Sequence, residues 1–316
     1  MKSPICDMLG IEFPLLAFSH CRDVVAAVSR AGGFGVLGAT VHTPETIEQE
    51  LKWIDDHVDG KPYGVDVLIP ENISTAGEKD VTWKSLEARV PQAHRDYTRN
   101  LLGKYDIELS TTSVADNQPQ PFDAKTALDL LEVSFRHPIR LIANALGVPP
   151  KEMIARGRKH GVPVAALVGA KEHAVRQVAA GAWTGSVWLA TVEAETTEIF
   201  REKMIAASSR DAVRSKGRTG KPARQLRSVW TDAWDRAPDS PGALPMPLQS
   251  IISRDAFHSI DRAAAAGNAR ARDLVSYFVG QGVGLIDSVK SAGAVVQEFK
   301  EDFIEAVEHM NALVEE

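Results

Sequence analysis

The first 70 residues alternate between short apolar runs and amphipathic segments. Three apolar runs have the length of buried parallel strands: 13–18, 34–37 and 63–69. The segment after the second run begins with Thr43 and Pro44, a helix-capping residue followed by a favoured first helical residue. Strands and helices that alternate at this spacing predict βαβ units around a parallel sheet.

The alternation stops between residues 71 and 137. This stretch is polar and contains two helical patterns, at 91–102 and 123–135. We interpret it as a helical cap inserted after the third strand, which in a barrel would lie at the carboxyl-terminal face, where ligands bind. A surface excursion without a function is the alternative, although long inserted loops are often functional.

The alternation resumes after residue 138 and gives way to a helical region. Strands are predicted at 139–143, 162–168 and 182–189, and helices at 151–159, 171–180 and 195–207. A basic loop and a proline-rich linker at 237–247 lead to helices at 254–266, 269–278 and 292–314. We expect four parts: 1–70 and 138–207 form the barrel, 71–137 the cap, and 208–316 a helical region packed on the barrel.

Composition narrows the class of protein. The chain has 316 residues, 44% hydrophobic and 25% charged, with a net charge of −6, so it has no overall basic excess for nucleic acid or an anionic membrane. Its two cysteines are too few for a disulfide framework and have no metal-ligand spacing. The N-terminus lacks the apolar region of a signal peptide, so we expect a cytoplasmic protein.

Five segments carry a resemblance to a known family. They are SRAGGFGVLGA at 29–39, YGVDVL at 63–68, WTGSVWL at 183–189, GRTGKPAR at 217–224 and VGQG at 279–282. Each is short, but in this order they resemble the nitronate monooxygenase (2-nitropropane dioxygenase) family. The resemblance implies an α/β fold of the TIM (β/α)₈-barrel type, FMN as cofactor, and oxidation of a small molecule, an alkyl nitronate, by O₂.

The number of strands is too small for a complete barrel. Five strands precede Ala182, and the sixth, at 182–189, resembles the family's eighth. A closed barrel of this type needs eight strands, so two βα units are absent, with the gap near 181–182. The absent region would carry the family's catalytic histidine. A true deletion and an omission from the printed chain both remain open.

The resemblance assigns residues to the cofactor. Thr184, Gly185 and Ser186 form a small-residue turn that would bind the FMN phosphate, whereas an ordinary strand-to-helix turn is the alternative. Phe18 and Ser19 end the first strand, where the family packs against the flavin ring. The next residue is a histidine, His20, which is either a helix-capping residue or, by default, the catalytic acid or base.

Other positions depart from the family or are less specific. Asp66 lies where the family often has an asparagine, and a carboxylate beside a flavin that becomes anionic is electrostatically unfavourable. Pairing with a basic residue is its alternative role. Asn144, with Leu146 and Gly147, would reach the flavin or the substrate. Gly280 and Gln281 would contact the flavin or its phosphate.

A basic run leaves several interpretations open. Arg218, Lys221, Arg224 and Arg227 would be a solvated surface, a contact to the FMN phosphate, or a site for a phosphorylated substrate such as a CoA thioester. Two rival functions follow: a flavin oxidoreductase of an acyl-CoA or enoyl substrate, and a non-catalytic barrel fragment. We expect no nucleic-acid or membrane partner, and a homodimer is one assembly that the sequence allows.

Overall fold

A computed structural model describes residues 3–69, 83–109, 124–145, 148–166 and 182–315. The chain divides into two compact units. Unit 1 contains residues 1–69, 124–195 and 289–316, and unit 2 contains 70–123 and 196–288. Among the described residues, no helix is both long enough and apolar enough to span a lipid bilayer.

Unit 1 contains a six-stranded parallel sheet. Its strands are β1 (Leu15–Ser19), β2 (Phe34–Gly38), β3 (Tyr63–Val67), β4 (Leu141–Asn144), β5 (Val164–Ala166) and β6 (Ala182–Thr184). Their order is β5-β4-β3-β2-β1-β6. β6 pairs with β1 through Leu16 and Trp183, the place that an eighth strand takes in a closed barrel. The fold is therefore an incomplete TIM-type barrel, as predicted, with β5 and β6 at the two ends of the described sheet.

The helices of unit 1 are amphipathic. They are α1 (Pro4–Leu9), α2 (Arg22–Arg30), α3 (Pro44–His57), α6 (Ala124–Ser134), α7 (Lys151–His160) and α12 (Ala292–Glu315). All of them except α1 cover one face of this sheet, whereas Cys6 and Leu9 of α1 pack with Leu16 and Phe34 on the other face. The predicted start of α3 is confirmed, because the Thr43 hydroxyl accepts a hydrogen bond from the Thr46 amide and Pro44 is the first helical residue. Burial of the apolar faces against the sheet provides the core.

Side chains of each strand alternate between this helix-covered face and an inner face. In β3, Tyr63, Val65 and Val67 pack against α3 in the helix-side core. Another apolar cluster contains Leu16, Phe34, Val36 and Leu141 from β1, β2 and β4. Because successive side chains point to opposite faces, the second cluster belongs to the inner face.

Unit 2 is mainly helical with one hairpin. It contains α4 (Trp83–Glu87), α5 (Gln92–Gly103), α8 (Glu198–Ile205), α9 (Val229–Asp235), α10 (Leu248–Ala265) and α11 (Ala271–Leu274). The strands β7 (Ala212–Ser215) and β8 (Ala223–Leu226) pair in antiparallel fashion. This hairpin occupies the stretch that the sequence presented as a basic loop.

Several predicted boundaries differ from the structure. The strand expected at 182–189 ends at Thr184, and Ser186–Ala190 form a 3₁₀ helix. The helix expected at 269–278 covers only Ala271–Leu274. α6 and α12 belong to unit 1 rather than to the expected cap and C-terminal parts, since α6 packs on α3 and α12 packs on α2. The predicted helix at 171–180 lies outside the described residues.

Candidate active site

The carboxyl ends of β1, β2 and β3 bring polar side chains together on the inner face. Gly38 and Asp66 are register partners in β2 and β3. A Cβ atom on Gly38 would lie 2.5 Å from Nδ1 of His20 and 2.8 Å from the Phe18 ring. Phe18, His20 and Gly38 are therefore in contact, with Asp66 on the next strand. Ligands bind at this end of the strands in barrels of this type.

His20 is held as a neutral imidazole with one defined tautomer. Its Nδ1 lies 2.9 Å from the Gly38 carbonyl oxygen, which can only accept, so Nδ1 carries the proton and donates. Burial lowers the pKa of His20, although the bond to Gly38 opposes that shift. Its ring stands edge-on to Phe18 at 5.1 Å between centroids. The lone pair on Nε2 is therefore available to accept a proton.

His42 is a second histidine in this region, and the sequence interpretation missed it. It follows the 3₁₀ turn Ala39–Val41 that leaves β2. Burial, followed by the nearby His20, lowers its pKa to about 4. Its Nε2 atom is buried without a hydrogen-bond partner among the described residues. Its position just after a strand end was the only sequence signal that could have identified it.

Asp66 is a buried carboxyl group without compensation. It is 2% exposed, and neither carboxyl oxygen has a hydrogen-bond partner in the described part of the chain. Burial raises its pKa to about 8. The nearby Ala145 amide lowers the pKa of Asp66 to a smaller extent. Its hydrogen bond goes to the Val67 carbonyl oxygen at 3.1 Å, so it is not a partner of the carboxyl group. Asp66 is thus protonated near neutral pH, and the expected pairing with a basic residue is not found within these residues.

Asn144 and Thr184 secure the backbone through their side chains. The Asn144 side-chain oxygen accepts a hydrogen bond from the Ile69 amide at 2.9 Å. The Thr184 hydroxyl donates to the Leu16 carbonyl oxygen and accepts from the Trp188 indole at 2.9 Å. Asn144 and Ile142 point to the same face of β4, and Ile142 lies in the helix-side core. The Asn144 side chain therefore points away from the inner face, whereas the sequence analysis expected it to reach a ligand there. Leu146 and Gly147 lie outside the described residues.

The remaining residues predicted in unit 1 have separate positions. The Ser19 hydroxyl accepts a hydrogen bond from the Cys21 amide at 3.0 Å and so orders the start of α2. A Cβ atom on Gly185 would meet no atom of the described residues within 4 Å, so these residues leave the backbone there open to close approach. Ser186 begins the 3₁₀ helix after this glycine.

The predicted residues of unit 2 do not form one basic site. Gly280 and Gln281 stand at the start of a 3₁₀ helix, Gln281–Leu285, and their contact with a cofactor stays a prediction. The Arg218 guanidinium stacks over the Phe257 and Tyr277 rings at 4.0 and 4.7 Å and donates to the Ser276 carbonyl oxygen. Arg218 is therefore part of the packing of unit 2, not of a solvated surface.

The inner-face residues fit a planar, polar ring system. Phe18 offers an aromatic surface, and protonated Asp66 offers a hydrogen-bond donor whose pairing the described chain does not supply. A neutral carboxyl group also removes the repulsion expected beside a reduced flavin. At the position predicted for the cofactor phosphate, the described chain provides the turn at Gly185.

Comparison with known proteins identifies the family. The nitronate monooxygenase family model matches residues 2–182, more than half of the chain. A Mycobacterium tuberculosis protein provisionally named monooxygenase Rv1533 is 41% identical over the whole of both chains. A Staphylococcus saprophyticus protein named a probable nitronate monooxygenase is 22% identical over 57% of this chain and 47% of its own. The chain belongs to the nitronate monooxygenase family and is on that ground a flavin-dependent oxidoreductase.

Solved structures share the fold. Nitroalkane oxidase from Streptomyces ansochromogenes superposes with a TM-score of 0.69 at 19% identity, over 97% of this chain and 99% of that chain. A variant of FabK from Thermotoga maritima gives a TM-score of 0.62 at 18% identity, over 99% of both chains.

The alignment lengths bear on the absent barrel units. The alignment with the mycobacterial protein spans 375 positions while this chain has 316 residues, so 59 positions have no counterpart here. Two βα units of about 30 residues each would account for that difference. The family match ends at Ala182, beside the expected junction. The exact position of the gap stays a prediction, since residues 167–181 lie outside the described chain.

Proposed function

We propose that this chain is an FMN-dependent oxidoreductase that oxidises alkyl nitronates with O₂. The observation that carries the proposal is the inner-face site of a chain that belongs to the nitronate monooxygenase family. There, a neutral imidazole and an aromatic ring at the end of β1 lie beside Gly38 of β2, and β3 adds a carboxylic acid that has no partner in the described chain. FMN, rather than another flavin, is favoured because the open Gly185 turn follows a barrel strand, the usual phosphate position in such barrels.

Two residues of the site would bind the flavin, and a third would accept a proton from the substrate. A bound flavin would take electrons from the substrate and pass them to O₂. Protonated Asp66 would donate a hydrogen bond to the ring, and Phe18 would pack against it. A nitronate is already deprotonated at carbon and needs no base. A neutral nitroalkane does, and the Nε2 atom of His20 is the acceptor that we assign to its proton.

The test begins with the cofactor of the purified full-length chain. We expect a flavin absorbance spectrum, FMN as the mass of the released cofactor, and turnover of propionate 3-nitronate that consumes O₂. Loss of two barrel units would weaken FMN binding, so the assay is run with added FMN. A chain that binds no flavin even with excess FMN would be the non-catalytic fragment and would contradict the proposal.

Matched histidine variants separate the two substrate forms. His20→Gln should lower turnover of a neutral nitroalkane at least about tenfold, because the base is removed, and should change nitronate turnover little. His57→Gln, a change of the same kind at the exposed end of α3, is the control and should affect the ratio between the two substrates less. Equal losses on both substrates in His20→Gln would show that His20 is not the base.

A second candidate function has one observation in its favour. Arg214 and Arg224 are exposed and directly opposite each other in the β7–β8 hairpin, a cationic surface suited to the phosphates of a CoA thioester. A panel of acyl-CoA and enoyl-CoA substrates tests this alternative. Turnover of these compounds, with none of propionate 3-nitronate, would replace the nitronate assignment.

A further inference from the structure

His42 presents a buried polar atom to which the proposed function assigns no role. Its Nε2 atom is buried and has no hydrogen-bond partner in the described part of the chain, although the residue as a whole is partly exposed. A buried nitrogen without a partner costs free energy unless something other than the fold satisfies it. The imidazole of His42 is therefore a candidate contact to a ligand.

The backbone places His42 at the carboxyl-terminal edge of the sheet. It follows the 3₁₀ turn Ala39–Val41, and its amide donates to the Ala39 carbonyl oxygen at 3.1 Å. That turn packs on β3, the strand that carries Asp66. The next residue, Thr43, caps α3 and so fixes where the chain leaves the sheet. His42 is thus held at the end of the strands where ligands bind in barrels of this type.

His20 and His42 are neighbouring imidazoles with opposite hydrogen-bonding capacities. Nδ1 of His20 donates to the Gly38 carbonyl oxygen, so Nε2 of His20 has a lone pair and no proton. Burial, followed by the nearby His20, lowers the pKa of His42 to about 4, so His42 is neutral near pH 7. Either nitrogen of a neutral imidazole can carry the proton, and a ligand that offers only acceptor atoms selects the Nε2–H form.

We propose that Nε2–H of His42 donates a hydrogen bond to an oxygen atom of the substrate's nitro or nitronate group. The inference rests on the proposed function. The oxygen atoms of both groups carry only lone pairs, so the lone pair on Nε2 of His20 repels them and the donor on His42 attracts them. The substrate would therefore lie with its reacting carbon toward His20 and its oxygen atoms toward His42.

This orientation assigns the two ends of the proton abstraction to two rings. When Nε2 of His20 takes the proton from a nitroalkane, the C–H electron pair forms a C=N bond and a nitrogen–oxygen π pair moves onto oxygen. The hydrogen bond from His42 strengthens as that negative charge develops, so it lowers the barrier. A nitronate already carries the charge, and for that substrate the same hydrogen bond contributes to binding. His42 should thus matter for both substrates, whereas His20 should matter for the nitroalkane.

The test uses nitrate as the probe, because it is a planar anion with nitrogen-bound oxygen acceptors and its nitrogen is already fully oxidised. Nitrate is titrated into the full-length chain in the presence of FMN, and the ring signals of His42 are followed by NMR. We expect these signals to shift as nitrate binds. His42→Leu removes the donor and should raise the dissociation constant for nitrate at least about tenfold.

Two further variants are the controls for His42→Leu. His42→Gln keeps a side-chain N–H donor and should raise the dissociation constant for nitrate less than about threefold. His57→Leu changes a histidine at the exposed end of α3 and should leave nitrate binding unchanged. Because Nε2 of His42 has no partner in the described chain, His42→Leu should not lower the thermal midpoint of unfolding. Weaker nitrate binding in that variant would then not reflect unfolding.

The outcomes distinguish this inference from the proposed function. Nitrate that binds His42→Leu as tightly as the unchanged chain, or that leaves the His42 signals in place, overturns the role of His42 even if propionate 3-nitronate is oxidised. A lower thermal midpoint for His42→Leu also overturns it, since Nε2 would then have a partner within the fold. Nitrate bound through His42 in a chain that oxidises no nitronate supports the contact and overturns the proposed activity instead.

Discussion

Asp66 in unit 1 and Arg218 in unit 2 meet the cost of burying an ionisable group in opposite ways. The Arg218 guanidinium stays charged because two aromatic faces lie 4.0 and 4.7 Å from it and the Ser276 carbonyl oxygen accepts its hydrogen bond at 2.8 Å. Asp66 has no such partner among the described residues and keeps its proton instead. An ionisable group that has hydrogen-bond or ring partners within the fold needs no ligand to account for it. A buried ionisable group without such partners points to a ligand.

Asp66→Asn should produce the largest effect, a gain in stability that depends on pH. Folding raises the pKa of Asp66 from 3.8 to about 8. The stability that the folded state has with Asp66 protonated is therefore fully present below pH 3.8 and is lost as the pH rises to about 8. With about 1.4 kcal/mol per pKa unit, less the cost of a buried unpaired amide, the variant should gain about 4 kcal/mol at pH 9. Near pH 4 mainly the cost of the buried amide remains, so the variant should instead lose about 2 kcal/mol. Denaturant unfolding at both pH values measures this.

A satisfied carboxyl group in the same unit is the control. Asp55 accepts hydrogen bonds from the Tyr63 hydroxyl and from Nδ1 of His137, both at 2.6 Å. Asp55→Asn should therefore lower the free energy of unfolding at neutral pH, the opposite sign to Asp66→Asn. If both variants shifted stability in the same direction at pH 9, the distinction between satisfied and unsatisfied groups would fail.

Arg218→Ala should cost unit 2 about 3 kcal/mol, because it removes three ring contacts and a charge-assisted hydrogen bond and leaves a cavity. Arg227→Ala is the matched control, since the Arg227 side chain is exposed and donates only to the Asp232 carboxylate, at 3.1 Å, in the described chain. Its cost should be below about 1 kcal/mol. Thermal unfolding compares the two, and equal costs would contradict a packing role for Arg218.

The sequence could predict those features that depend on contacts between residues close together in the chain. The start of α3 at Thr43 and Pro44 rests on contacts within four residues, so it was predictable. The place of β6 beside β1 followed from a segment that resembles the family's last strand. Arg218 was read only as one of a basic run, because the rings that hold it come from Phe257 and Tyr277, far along the chain. No pattern in the sequence indicated that Arg218 contacts these rings.

The prediction of the candidate site from the sequence was limited in the same way. Asp66 and His20 were found because the resemblance places the flavin beside their positions, but the protonation of Asp66 depends on burial by distant segments, which one sequence does not reveal. Asn144 was expected to face a ligand, and its bond to Ile69 is set by how β3 leaves the sheet. His42 belongs to no segment that carries the resemblance to the family.

Gly38→Ala tests whether the position of His20 in the candidate site depends on the space that Gly38 leaves beside β2. The new methyl group would lie 2.5 Å from the His20 ring, so the ring must move and its bond to the Gly38 carbonyl oxygen should break. We expect a loss of about 2 kcal/mol in stability and altered His20 signals in NMR spectra. Gly185→Ala, where a Cβ atom meets nothing within 4 Å in the described part of the chain, should cost much less. An unperturbed His20 in Gly38→Ala would contradict the described contact.

Arg214→Glu should produce the smallest effect and shows what charge contributes without burial. Arg214 and Arg224 are exposed register partners across the hairpin, and like charges placed directly opposite each other are destabilising. The variant replaces repulsion by attraction, so we expect a gain of about 0.5 kcal/mol in thermal unfolding at low salt. Because both side chains are exposed, 0.5 M NaCl should remove most of the gain. Arg210→Glu adds the same charge at an exposed site outside the hairpin register and should gain less. A gain for Arg214→Glu that persists in high salt would show that this pair behaves like a buried one, and the contrast with Arg218 would then not rest on burial.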